Sequence, residues 1–96
     1  MKLIHGTGNY NNMIWTEKNN KLVAEFVFED FSQIWAFMTE VAILCERKNH
    51  HPEWTNIWNR VSVSLSTHDE GDIVTEKDRK LADGISKIFE RYQNRA

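Results

Sequence analysis

Three of the four histidines in this 96-residue chain stand in two short stretches. His50 and His51 lie in Asn49-His50-His51-Pro52, and His68 closes Ser66-Thr67-His68. Carboxylates flank them: Glu46 four residues before His50, and Asp78 ten residues after His68. Imidazole is the side chain that gives or takes a proton near neutral pH. Two or three of them around one pocket can serve opposite ends of a substrate that must lose both a proton and a leaving group. A carboxylate beside an imidazole can fix its tautomer or hold an N–H-rich substrate. Trp54 and Trp58 are close in sequence, and an indole can stack on a planar ring. His5 belongs to a polar N-terminal stretch and is read as incidental.

The same residues carry plainer readings. The His pair also reads as a helix C-cap, with imidazoles at the negative end of a helix dipole. Thr75 with Asp78 reads as a capping box, in which Asp is a poorer partner than Glu or Gln. Trp54 and Trp58 on a strand read as core residues, and Glu46 as a solvated helix residue. Three histidines also suit a zinc ion with an open position. Against that, adjacent histidines are not an i, i+4 helical pair and no HExxH is present, so no metal site is expected.

The elements that must position these residues follow from patterning. Met13 to Glu17 and Leu22 to Phe28 read as two strands, joined at Asn19-Asn20, since Asn tolerates the positive φ of a tight hairpin turn. Asp30 reads as an N-cap. After it Phe31, Ile34, Trp35, Met38, Val41, Ala42 and Cys45 recur at spacings of three and four, which predicts a helix to about Lys48. Asn49 and Pro52 make its stop. Trp54 to Asn59 and Val61 to Thr67 read as a second hairpin, followed by a loop from His68 to Val74. Thr75 to Asp78 opens a second helix, with Leu81, Ala82, Ile85, Ile88, Phe89 and Tyr92 as its stripe. The order ββαββα predicts an α+β fold: one four-stranded antiparallel sheet with two main helices packed on one face. The other face, carrying Ser62, Ser64 and Ser66, is left to solvent or to another subunit.

Ninety-six residues are room for one domain, spanning 1–96 with 1–12 as an irregular N-terminal segment. The chain is 41% hydrophobic and 27% charged with a net charge of −2, an ordinary globular composition. Nothing in that balance favours nucleic acid or an anionic membrane as partner. Cys45 is the single cysteine, which excludes an intrachain disulfide and a multi-cysteine zinc site and suits a reducing compartment. No run approaches the ~20 apolar residues of a membrane span, and Met1 to Asn12 lacks the apolar core of a signal peptide. A cytoplasmic location is the expectation.

With those residues in view, the sequence resembles the pterin-4a-carbinolamine dehydratases. The family's signature runs through an acidic or polar residue, a His pair, Pro, an aromatic, His and Asp; here these are Glu46, His50, His51, Pro52, Trp58, His68 and Asp78. The surroundings agree at Asp30-Phe31, Ala36 to Ala42, Glu53-Trp54, Leu65-Ser66-Thr67 and Leu81-Ala82. The likeness runs from about Trp15 to about Phe89. Two departures stand out: family members usually carry a helix before the first strand, which Met1 to Asn12 is too short and too polar to supply, and Asn49 stands where Asp is frequent.

The resemblance implies loss of water from a 4a-hydroxytetrahydropterin to give the quinonoid dihydropterin, in tetrahydrobiopterin recycling. It implies no metal or organic cofactor, the pterin being the substrate. His50, His51 and His68 are then the acid–base cluster. Glu46 and Asp78 orient imidazoles or bind pterin N–H groups, Pro52 sets the loop path, and Trp54 or Trp58 lines the pocket. A homodimer or homotetramer is implied as well. The alternatives are a non-catalytic protein-binding or dimerisation cofactor and another pterin-related role, such as one in molybdopterin metabolism.

Overall fold

The chain's first hairpin shows how local residue choice sets the sheet. The structure, a computed structural model, describes residues 14–93; the expected irregular segment 1–12 lies outside them. β1 (Thr16–Lys18) passes to β2 (Lys21–Val27) through Asn19 and Asn20, at φ 53° and 64°. Two consecutive positive φ values match the twist of the flanking strands, and Asn reaches that region more cheaply than most residues. Lys18 pairs with Lys21 directly across the turn. The expected strand Met13–Glu17 therefore begins later and runs one residue further, up to the turn.

The second hairpin pairs β3 (Glu53–Ile57) with β4 (Arg60–Leu65), and β4 inserts beside β2 to give the antiparallel order β1-β2-β4-β3. Both strands are shorter than expected. Trp58 at φ 50° and Asn59 form the turn rather than extending β3. Strict alternation turns Leu22, Ala24, Phe26, Val61, Val63 and Leu65 inward, all buried. Glu25, Ser62 and Thr55 form a row across the opposite, open face.

Helix α1 (Phe31–Lys48) starts at Asp30, whose Oδ1 accepts the Gln33 N–H at 2.8 Å. Its buried stripe is Ile34, Phe37, Met38, Val41, Leu44 and Cys45. Phe31, Trp35 and Ala42, expected inside, are exposed. At about 100° per residue those three lie on the flank of the stripe. Helix α2 (Glu76–Gln93) pulls burial to the other flank, where Phe37 meets Phe89 and Tyr92 at ring separations of 6.1 and 6.0 Å. The two helices approach closely at Gly84, where an added Cβ would lie 2.8 Å from Leu44 Cδ2. Leu81, Ala82, Ile85, Ile88 and Tyr92 are buried as the α2 stripe predicts, and Phe89 packs against the core partly buried.

The end of α1 matters most for the site. Asn49 adopts the left-handed conformation at φ 51°. Its N–H bonds to Glu46 O and that of His50 to Cys45 O, both at 3.1 Å. That pair of reversed bonds is the Schellman stop, which ends the helix and fixes the backbone of the next residue. The next residue is His50.

Candidate functional site

Three element ends converge: the stop of α1, the end of β4 and the first turn of α2. Asp78, in that first turn, is fully buried. A buried carboxylate is costly unless paired and hydrogen-bonded, and every side of this one is met. His50 Nε2 lies 2.6 Å from its Oδ1, with the His50 side chain only 13% exposed. Its Oδ2 accepts the Thr67 hydroxyl at 2.7 Å and the Thr75 backbone N–H at 2.9 Å. Burial pushes the Asp78 carboxyl up. The hydrogen bonds from His50, Thr67 and Thr75, with the charge of His50, outweigh that and hold it below the ordinary carboxylate value. Half of the expected capping box is thus present, the Asp78 side chain on the Thr75 N–H, while the Thr75 hydroxyl turns to Thr67 at 2.6 Å.

The other two imidazoles stand in water, each against its own carboxylate. His51 Nε2 lies 3.0 Å from Glu46 Oε1, with side chains 57% and 83% exposed. His68 Nδ1 lies 3.0 Å from Asp72 Oδ1, with side chains 88% and 60% exposed. The Asp72 hydrogen bond and charge raise the His68 imidazole above its ordinary value. His68 opens a short 3₁₀ turn, His68–Glu70, closed by Gly71 at φ 91° and Asp72 at φ 61°. That turn hangs on Thr67, whose carbonyl accepts the N–H groups of Glu70 and Asp72 at 3.2 and 3.0 Å and whose own N–H bonds to Ile73 O at 2.8 Å.

An ionised carboxylate only accepts hydrogen bonds, so each ring nitrogen facing one must carry the hydrogen. The remaining nitrogen is then specified in each neutral ring: Nδ1 of His50, Nδ1 of His51 and Nε2 of His68. In the neutral ring that atom takes a proton; in the charged ring it gives one. The arrangement is three imidazoles, each held by one carboxylate and each with one defined proton-handling atom.

The remaining expected residues fall differently. Pro52 follows His51 and is half-buried, and Trp54 on β3 packs partly buried against the core. Trp58 is 63% exposed in the β3–β4 turn. The five residues of β3 separate it from the His50–His51 end by about 17 Å, so within this chain it does not reach the histidines. A shallow depression of about 570 Å³ opens on the sheet between Val23, Glu25, Glu53 and Ser64; Trp54 lines it and none of the three histidines does. Sequence reasoning missed Asp72 as the partner of His68, although its i+4 spacing was a usable signal. It named Thr75 only as a capping partner of Asp78, and it missed Thr67 as a hydroxyl donor to that carboxylate. Among the described residues no group of three or more His, Cys, Asp or Glu side chains is placed to hold a metal ion, and no helix is long and apolar enough to cross a membrane.

The likeness to known proteins covers most of the chain. Residues 8–88 match the sequence profile of the family described as pterin 4 alpha carbinolamine dehydratase. A protein of Prochlorococcus marinus (strain MIT 9515), provisionally named a pterin-4-alpha-carbinolamine dehydratase, is 47% identical over 77 residues, covering 80% of this chain and 79% of its own. The crystal structure of a transcriptional coactivator/pterin dehydratase from Brucella melitensis superposes with a TM-score of 0.75 at 35% identity, over 92% of this chain and 98% of that one. A pterin dehydratase-like protein identified as a RuBisCO assembly factor in the alpha-carboxysome shares the fold, with a TM-score of 0.69 at 23% identity over 82% of this chain and 93% of that one.

Proposed function

Since the chain belongs to the pterin 4 alpha carbinolamine dehydratase family, we propose that it removes water from a 4a-hydroxytetrahydropterin. In that reaction the C4a–O bond breaks and the hydroxyl leaves as water once it is protonated. The N5–H proton is taken up by a base, and its electron pair becomes the N5–C4a double bond of the quinonoid dihydropterin. The reaction therefore needs one acid and one base at separate points of a flat ring.

The observation that carries this reading is the set of three carboxylate-held imidazoles, each with one ring nitrogen left for a substrate. His51 and His68 stand in solvent, where a substrate can meet them. His50 handles its proton from a more buried position through Nδ1. Glu46 and Asp78 orient rings, Pro52 sets the turn after the His pair, and Trp54 borders the approach. The pterin is the substrate, and this reading assigns no metal or organic cofactor. The product feeds tetrahydrobiopterin recycling in the cytoplasm. A homodimer or homotetramer is part of the same reading, supported by the exposed side chains Phe31, Trp35, Ile57 and Trp58 around edge strand β3.

The test is the ultraviolet decay of a 4a-hydroxytetrahydropterin generated in the cuvette. Acceleration above buffer is expected, and His51→Ala and His68→Ala each reduce it by about 10²–10⁴-fold. Folded protein that gives no acceleration overturns the reading. The same exposed patch supports the second reading, a protein-binding role without catalysis. The Brucella protein is described as both coactivator and dehydratase, and the carboxysome protein as an assembly factor. That reading gains if activity is absent while the protein still binds a partner through Trp35 and Trp58.

A further inference from the structure

The hydroxyls of Thr67 and Thr75 form a directed chain behind the buried carboxylate. Asp78 is an anion and only accepts, so Thr67 Oγ1 gives its single hydrogen to Asp78 Oδ2 at 2.7 Å. The 2.6 Å contact between Thr67 Oγ1 and Thr75 Oγ1 must then be donated by Thr75. Thr75 Oγ1 in turn accepts the Lys77 backbone N–H at 3.3 Å. The order is Lys77 N–H to Thr75 hydroxyl, to Thr67 hydroxyl, to Asp78, with His50 on the far side of the carboxylate. Hydrogen bonds aligned head to tail in a low-dielectric site strengthen one another. Thr67 is 2% exposed, so no water competes for its part.

We propose that this Thr75–Thr67 hydroxyl chain is a positioning device for His50, fixing both the direction in which Asp78 holds the ring and the pH at which Asp78 takes up its proton. The inference deepens the dehydratase reading and rests on it for the catalytic role of His50. The donated hydrogens stabilise the carboxylate anion. Protonation of Asp78 removes that anion. Without a donor the anion is less stable, so Asp78 is protonated at higher pH. The groups facing Asp78 are few. His50 comes from the end of α1, Thr67 from the end of β4 and Thr75 from the preceding loop. On its own helix Arg79 is turned to Glu17 at 3.0 Å. Cys45, whose carbonyl receives the His50 N–H, has its thiol pushed up to about 11 by burial and stays neutral.

The experiment is carboxyl-carbon NMR titration of Asp78 in the full chain, beside the pH profile of pterin dehydration. Thr67→Val should raise the Asp78 midpoint by about one pH unit, the size expected for one hydrogen bond to a charged group. Thr75→Val, at a half-buried position, should raise it by less in the same direction. Thr67→Ser and Thr75→Ser, which keep the hydroxyls, should titrate as the parent does. The acid limb of the dehydration profile should move with the midpoint. Unmoved midpoints in the folded Val variants overturn the proposal, and Thr75→Val decides it alone if Thr67→Val does not fold. The titration needs no pterin, so it decides this point even if the parent chain dehydrates nothing. A midpoint that moves while the acid limb of an active parent stays fixed overturns the catalytic part.

Discussion

A carboxylate facing an imidazole acts on it in two ways: it orients the ring, and it raises the pH at which the ring is charged. Both effects depend on exposure. His51 and Glu46 are in water, where an ion pair contributes about 0–1 kcal/mol; removing His51 should barely touch stability. His50 faces a fully buried carboxylate, so His50→Ala removes its imidazole partner and leaves only the Thr67 and Thr75 hydrogen bonds to hold it, at a cost of about 3 kcal/mol. Urea titration of the two alanine variants at pH 7 should separate them by about that amount, and equal stabilities would contradict the burial of the pair. His68 gives the cleanest pH prediction. Its imidazole is raised by Asp72, so Asp72→Asn should lower its NMR midpoint towards the ordinary ~6.5. Asn tolerates the positive φ of position 72 at least as well as Asp, so the loop should keep its shape. The folded value lies above the unfolded one. The pair therefore steadies the loop fully below pH ~6.5 and releases it as the pH rises through the folded value. An unchanged midpoint in Asp72→Asn would mean that Asp72 does not face the ring in solution.

At the scale of elements, much of the fold was legible because stops and turns carry their own chemistry. Asp30 caps, Asn19-Asn20 turns and Asn49 ends a helix for reasons visible residue by residue. The inward side of α1 was less legible. Phe31 and Trp35 fit the spacing as well as Phe37 and Leu44 do, and only the placement of α2 decides between them. Two segments of the site could be named from sequence, and the i+4 spacing of His68 and Asp72 was visible; the pairing of His50 with Asp78 joins the α1 stop to the first turn of α2, which no local pattern encodes. Trp58 looked like a strand residue because aromatics favour strands, but the register of Ile57 with Arg60 makes it a turn. The α1 stop lends itself to a test, since Asn49 both ends the helix and sets the backbone of His50. Asn49→Gly suits φ 51° and should change stability by a few tenths of a kcal/mol, with activity retained. Asn49→Val must adopt a left-handed conformation that costs a β-branched residue about 1–2 kcal/mol. Thermal melts with dehydration rates would show both properties falling together in Asn49→Val, and a wild-type-like Val variant would remove the stop from the account of the site.

For the whole molecule, the feature that folding alone does not explain is Trp58. A large aromatic residue at φ 50° is strained, and this one leaves 63% of its surface in water. It gains little from the core in return. Nearby, Phe31 and Trp35 stack edge to face at 6.0 Å while both remain about half exposed. Asn56 ties the region together: its Oδ1 accepts the Trp35 indole N–H at 3.1 Å, and its Nδ2 donates to Trp58 O at 3.2 Å and Arg60 O at 2.8 Å. All of this borders β3, which among the described residues is an edge strand bonded only to β4 and so offers its other side for pairing. Strain and exposed apolar surface at one edge are costs to a monomer that association can offset. In the proposed homodimer or homotetramer, Trp58→Gly should therefore have opposite effects on two measurements. It should relieve the turn and stabilise the folded subunit by about 1 kcal/mol in dilute denaturant titrations. It should also weaken self-association, seen by sedimentation as a shift of mass towards the 11.4 kDa chain at micromolar concentration. Trp35→Ser, which removes apolar surface without touching the strained turn, should weaken association with no gain in subunit stability. A parent protein that sediments at 11.4 kDa at all concentrations would refute self-association, and a patch of this kind would then have to meet a different protein.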